Sequence, residues 1–361
     1  MHWLLLCRCL ALGPARGEQP LAADLAGPGF DAMALAAAAN AELTAPALRT
    51  ALRRKGLEER VPADLHAYLT LLHRQNAARN ARIRAQCAAA GGLLAAQGIK
   101  VVLLKGAAWL FDGHADAAED RMLRDIDLLV PRADLPCAVA ILQAQGYRDS
   151  TETFAEREHF HHAPLIPEAG VGEAAIELHR DLGYGIHDLP AEAVLADAVA
   201  VAPGLCIPST AHRALHNVLH AEIENAGHIG AEVAIRDLLD LARLMQSDGV
   251  ETWAAEARSP RLRAALRGSL LLAGQLLAAP LPPGFEPGWR ARLHLARCLA
   301  HRRWPLLDRA GHCLALLRRG FRWERDSYVP SDVAASQLDR RGAVIGRLAR
   351  RLRRTAARDR R

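Results

Sequence analysis

The eleven residues from Arg121 to Pro131 read Arg-Met-Leu-Arg-Asp-Ile-Asp-Leu-Leu-Val-Pro, and they limit the fold more than any other stretch. Side chains of a strand point alternately to its two faces. Asp125 and Asp127 therefore share one face, while Ile126, Leu128 and Val130 enter a core on the other. Two carboxylates about 7 Å apart at the edge of an apolar strand are costly unless a cation sits with them. Mg²⁺ is the natural candidate, a hard ion that takes carboxylate and phosphate oxygens.

The surroundings of this strand predict an α/β unit of about 80 residues. The β-branched run 99–104 reads as a strand, Lys105-Gly106 as a turn, and Ala107 as the start of a helix. Residues 112–120 read as polar loop, 134–145 as a helix closed by Gly146, and 159–166 and 174–179 as two further strands. Apolar residues at helical spacing precede Gly98, and helices return after Pro190, one of them capped by Ser209 or Thr210. The expected division is a helical region over 1–97, the α/β core over 98–189, a helical domain over 190–330 and an Arg-rich tail over 331–361. Composition agrees: 51% of residues are apolar but only 4% aromatic, so the core is built from Leu, Ala and Val and favours helix.

A third acid lies in similar surroundings. Ile176-Glu177-Leu178-His179 is again strand-like, and beside the Asp125 strand Glu177 would complete a three-carboxylate cluster able to hold two metal ions. Lys105-Gly106 sits where a strand turns into a helix, whose free N–H groups bind phosphate oxygens. Gly106 would let the backbone approach closely, and Lys105 would add a point charge. Arg121 and Arg124 either neutralise a leaving pyrophosphate or form ordinary ion pairs with Asp120 or the aspartates.

These segments, Leu103-Leu104-Lys105-Gly106, Arg121-x-x-x-Asp125-x-Asp127-Leu128-Leu129-Val130 and Ile176-Glu177-Leu178-His179, resemble the uncharacterised bacterial nucleotidyltransferase family of the polymerase-β-like superfamily. Lys105-Gly106 stands where that superfamily usually has Gly-Ser, and Glu177 where Asp is commoner. The stretch around His220 and Ile235-Arg236-Asp237-Leu238 is similar to the family's C-terminal part. The resemblance implies a mixed-sheet α/β (α+β) core flanked by helical regions. It also implies Mg²⁺- or Mn²⁺-dependent transfer of a nucleoside monophosphate from a nucleoside triphosphate to an acceptor. Asp125 and Asp127 would bridge the metals, and Glu177 would bind one and orient or deprotonate the acceptor hydroxyl. The acceptor stays open between a protein, a small molecule and an RNA end. A catalytically silent nucleotide-binding scaffold is the alternative.

Charge adds a qualification. The formal +6 invites a nucleic-acid reading. Yet residues 340–361 hold ten arginines and one acid, and the other 339 residues hold 36 basic and 39 acidic residues. Residues 340–361 thus carry +9 and the remaining 339 carry −3. Val344, Ile345, Leu348 and Leu352 give the tail an apolar stripe among arginines, suited to an anionic partner such as nucleic acid or lipid, or else a solvated end. Seven scattered cysteines without a CxxC predict a reducing, cytoplasmic setting, and no apolar run reads as a membrane span. His159 and His161 should share a strand face opposite His162, and His212, His216 and His220 a helix face, as packing or acceptor contacts more than metal ligands. His179 should lie near the metals behind their direct ligands.

Overall fold

The alternation around Asp125 is realised as a strand at the centre of a sheet. The computed structural model of the chain describes residues 2–13, 21–150, 159–183, 188–304, 306–307, 310–311 and 313–315. The tail 331–361 and its apolar stripe lie outside the described residues. Seven strands form one mixed sheet: β1 (Val102–Leu103), β2 (Asp125–Leu129), β3 (Tyr147–Asp149), β4 (Leu165–Pro167), β5 (Ala175–His179), β6 (Val199–Ala202) and β7 (Leu205–Ile207). Their order is β3-β4-β5-β2-β1-β7-β6. β2 runs parallel to β5 and β1 parallel to β7, and the other neighbours are antiparallel. The protein is an α/β fold with a mixed sheet between helical layers.

The two faces of the sheet belong to different cores. Ile126, Leu128 and Val130 of the central segment join Leu103, Ile176 and Leu178, packed with Ile83, Cys87, Ala90 and Leu94 of the helix Ala63–Ala95 and with Ala138 and Leu142 of the helix Leu135–Ala144. On the opposite face Val102, Leu104 and Leu129 join a second cluster. That cluster unites the N-terminal helices His2–Leu10, Ala32–Ala41 and Ala45–Arg54 with the helices Thr210–Val218, Ile235–Leu244 and Pro260–Leu277. The helical regions before and after the α/β core therefore share one core across the sheet. The same face carries the two aspartates.

Three polar side chains of the Ala63–Ala95 helix fix the irregular approach to β2. Asn76 donates to the Glu119 carbonyl at 2.6 Å, Asn80 to the carbonyls of Ala118 and Arg121 at 2.7 and 2.8 Å, and Arg79 to that of Leu123 at 2.6 Å. Carbonyls in a buried, non-regular segment need such donors because water cannot supply them. Gln86, on the same helix, accepts from the amides of Glu173 and Ala174 and donates to the Ala174 carbonyl, which sets the start of β5.

Several local expectations change. Residues 112–120 are not all loop: Ala115–Asp120 is a short helix, and Arg53 and Arg54 pair with Asp116 while Arg243 and Thr50 hold Asp120. Tertiary partners, not an apolar stripe, stabilise this polar turn. The run 159–166 forms a strand only from Leu165, with His161 making a single bridge to His179. β3, β6 and β7 are strands of three or four residues that alternation did not expose, and the β6–β7 hairpin adds to the sheet from beyond residue 189. Among the described residues no helix is long and apolar enough to cross a membrane, and none of the seven cysteines is in a disulfide.

Candidate active site

Strand register brings the sequence-distant acids together. β2 and β5 are parallel with Asp127 opposite Glu177 and Leu129 opposite His179. Asp125, Asp127, Glu177 and His179 thus project from one face of neighbouring strands. Ligand atoms of Asp127, Glu177 and His179 all lie within 4.8 Å of one another. Asp127 is 2% exposed, and its Oδ1 meets both Lys105 Nζ and His179 Nε2 at 2.8 Å. Glu177 Oε2 is 3.7 Å from His179 Nε2 and 3.9 Å from His161 Nε2.

These contacts order the charges. Burial alone would raise the Asp127 carboxyl, but the Lys105 ammonium and the His179 hydrogen bond outweigh it and hold it well below the ordinary carboxylate range. Glu177 is lowered too: burial raises it, but the His179 hydrogen bond together with the charges of His161 and His179 outweighs that. Asp125 moves the other way: burial, then the charges of Asp127 and Glu177, raise it. Burial opposes the charged form of His179, yet the carboxylates of Asp127 and Glu177 prevail and raise it. Lys105, His179 and, for Asp125, Arg236 thus supply the positive charge around the three carboxyl groups.

Lys105 has a second peculiarity. Its backbone lies at φ +44°, in the left-handed region that favours glycine. It closes the β1 edge, where Leu104 N donates to the Asp127 carbonyl at 3.0 Å, and it opens the helix Lys105–Ala108. This turn carries a side chain that reaches the carboxylate. Gly106 is needed for packing: a Cβ there would stand 3.0 Å from Leu123 Cγ. Sequence reasoning gave it only the role of admitting phosphate.

The two arginines separate. The Arg121 guanidinium is buried and turned toward the helix Ile235–Leu244, with Nε 2.6 Å from Asp240 Oδ2 and Nη2 3.3 Å from Asp237 Oδ1. It locks that helix to the start of β2 and lines, with Lys105, a small cavity. Arg124 is exposed and makes no hydrogen bond or ion pair with the described residues. Asp120, open to the reading of a loop acid, is buried, with Thr50 at 2.6 Å and Arg243 at 2.7 Å.

A cavity of about 50 Å³ beside Lys105 is lined by His216, His220 and Arg236, among others. The first two come from the predicted histidine stripe, and burial, then the Lys105 charge, keeps both neutral, His220 lowered to about 3. His212 instead approaches Asp197 at 4.0 Å. The helix Thr210–Val218 continues into a π-helical segment, Leu219–Glu224, a geometry frequent at functional sites. Arg236 was read from sequence only as part of a similar segment, although an Arg-Asp pair inside an apolar helix is a usable signal. His161 faces Glu177, and His162 bonds Asp149 at 2.8 Å on the other side, as alternation predicts.

A model of a family described as an uncharacterised nucleotidyltransferase matches residues 28–278, well over half of the chain. The chain belongs to that family. Neither the search of curated proteins nor that of solved structures gives a match.

Proposed function

We propose that this nucleotidyltransferase-family protein transfers a nucleoside monophosphate from a nucleoside triphosphate to an acceptor at the face formed by Asp125, Asp127 and Glu177. The observation that carries the reading is the β2–β5 register, which sets Asp127 opposite Glu177 with Asp125 two residues before it on the same face. The donor set suits a divalent cation: hard carboxylate oxygens on one sheet face, Asp127 buried and Asp125 and Glu177 partly exposed. Asp125, Asp127 and Glu177 would hold Mg²⁺ or Mn²⁺. Such ions, when bound, polarise the phosphoryl oxygens and lower the barrier to in-line displacement.

The chain's own groups supply the rest. Glu177 orients the acceptor hydroxyl and takes its proton. The acceptor oxygen bonds to the α-phosphorus as the bond to the β-phosphate oxygen breaks, and pyrophosphate leaves. Lys105, from the helix start at Gly106, and Arg124, beside Asp125, would meet phosphate charge. Arg121 acts at one remove, by holding the Ile235–Leu244 helix against the strand. The helical layer over this face supplies the acceptor site, and we place the reaction in the cytoplasm, where seven unpaired thiols are at home.

One observation favours a catalytically silent nucleotide-binding module: Asp127 already has an ammonium partner in Lys105. Pyrophosphate release separates the two. Asp125→Asn with Asp127→Asn should cut Mg²⁺-dependent release by about 10³-fold or more while the circular dichroism is kept. Nucleotide binding in Ca²⁺ with no release in Mg²⁺, across a wide acceptor screen, would establish the silent module instead.

A further inference from the structure

A second set of ligating side chains lies away from the carboxylate face, where the π-helical segment meets the last described long helix. Glu222 comes from Leu219–Glu224, His228 from the turn Gly227–Gly230 and His294 from the helix Gly288–Arg303. His294 Nε2 is 3.3 Å and His228 Nδ1 3.9 Å from the same oxygen, Glu222 Oε2. The two imidazole rings have centroids 4.4 Å apart and an angle of 34° between them. One ligand atom from each residue lies within 4.8 Å of the other two.

The burial is that of a built site. The side chains of Glu222 and His294 are 8% and 1% exposed, whereas His228 is 47% exposed. Glu222 Oε2 is buried and receives no well-aligned hydrogen bond, although His294 Nε2 stands 3.3 Å from it as an ion-pair partner. A buried carboxylate oxygen without an aligned donor is costly. Against burial, Cys298, whose Sγ stands 3.7 Å from His294 Nε2, and Glu222 raise the His294 imidazole to about 10, so an ion bound here displaces its proton. Ligands of a tetrahedral ion with bonds of about 2.0–2.1 Å stand about 3.3–3.4 Å apart. Glu222 and His294 already do, and the half-exposed His228 has room to close its gap.

The segment bearing His228 is held for this purpose. Arg297, one turn from His294 on the same helix, donates to the carbonyls of Ile229 at 2.7 Å and His228 at 3.3 Å. Ala226 and Ala231 bracket the turn at φ +56° and +53°, a conformation alanine adopts only under constraint.

We propose that Glu222, His228 and His294 bind a Zn²⁺-class divalent ion through three protein ligands, with a fourth position open on the His228 side. Two histidines and one glutamate form a recognised zinc set, and imidazole selects such ions over Mg²⁺. The ion ties the helix Gly288–Arg303 to the π-helical segment that carries His220 and continues the helix carrying His216. His294 lies beyond the residues matched by the family model, so family membership does not imply the site.

Zn²⁺ alone is the probe, with the full chain stripped by chelator and metal content read after equilibrium dialysis. Asp127→Asn with Glu177→Gln removes the other ligand cluster and should retain one tight equivalent. His228→Ala in that background should lose it, with affinity down at least tenfold, and Zn²⁺ should no longer raise the unfolding midpoint. Because His228 is half exposed, His228→Ala alone in the wild-type chain gives a second comparison and should bind one equivalent fewer. No tight equivalent in the first variant, or unchanged Zn²⁺ binding after His228→Ala, would overturn the assignment. Neither readout depends on transferase activity.

Discussion

One oxygen of Asp127 accepts from both Lys105 and His179 at 2.8 Å, and this arrangement sets the character of the site. Lys105 reaches it from a backbone position made for glycine. Lys105→Gly and Lys105→Ala both remove the ion pair, but only glycine relieves the left-handed strain. The glycine variant should therefore be the more stable by about 1 kcal/mol in urea denaturation; equal stabilities would contradict the strain. Asp120 offers a pH signature. Burial, opposed by Arg243 and Thr50, raises it from 3.8 to about 6. The folded state thus binds the proton more tightly than the unfolded chain. Its contribution is fully present below the unfolded value and is lost as pH rises through about 6. Unfolding free energy measured from pH 4 to 6 should fall relative to Asp120→Asn, with a slope of up to about 1.4 kcal/mol per pH unit. Parallel curves would show that Asp120 titrates normally. The acids themselves were legible, because Asp125 and Asp127 break an apolar alternation and Glu177 sits in a similar frame. The direction of Arg121 was not. Its partners, Asp237 and Asp240, lie more than a hundred residues away, and nothing local marks them.

At the scale of elements, the helix Ala63–Ala95 does more than bury an apolar stripe. Its asparagines and Gln86 hold the two segments that lead into β2 and β5, so the parallel register depends on it. The sequence showed the apolar spacing of this helix and hid the polar contacts, since Asn76, Asn80 and Gln86 look like solvent-facing residues until their carbonyl partners are known. The helix also packs closely on β7: a Cβ at Gly91 would stand 2.3 Å from Leu205 Cδ2. Gly91→Ala should cost about 1–3 kcal/mol through overpacking. Adding Leu205→Ala should recover part of it, so that the double variant loses less than the sum of the single ones. Strict additivity in denaturant midpoints would contradict the contact. Short strands such as β3, β6 and β7 were invisible because three or four residues carry too little alternation to stand out. The long-range pairing that stabilises them is absent from local sequence.

For the molecule as a whole, charge and core divide differently from the chain. The terminal 22 residues carry +9 and the other 339 carry −3, so the candidate site belongs to a mildly acidic body. The helices before residue 98 and after residue 190 share one core on the sheet face that also carries the carboxylates. Sequence pattern marked both helical regions but not their union, because helix period says which face is buried and not against what. The account stands or falls on chemistry at that face. The most direct measurement incubates the full chain with each of the four NTPs labelled at the α-phosphate, Mg²⁺ and cell lysate, and follows label transferred to any acceptor. The wild-type chain should give a Mg²⁺-dependent nucleoside monophosphate adduct with at least one NTP, and Asp127→Asn should give none. Adduct formed equally by Asp127→Asn, or no adduct from the wild-type chain with any NTP, would contradict nucleotidyl transfer at this site.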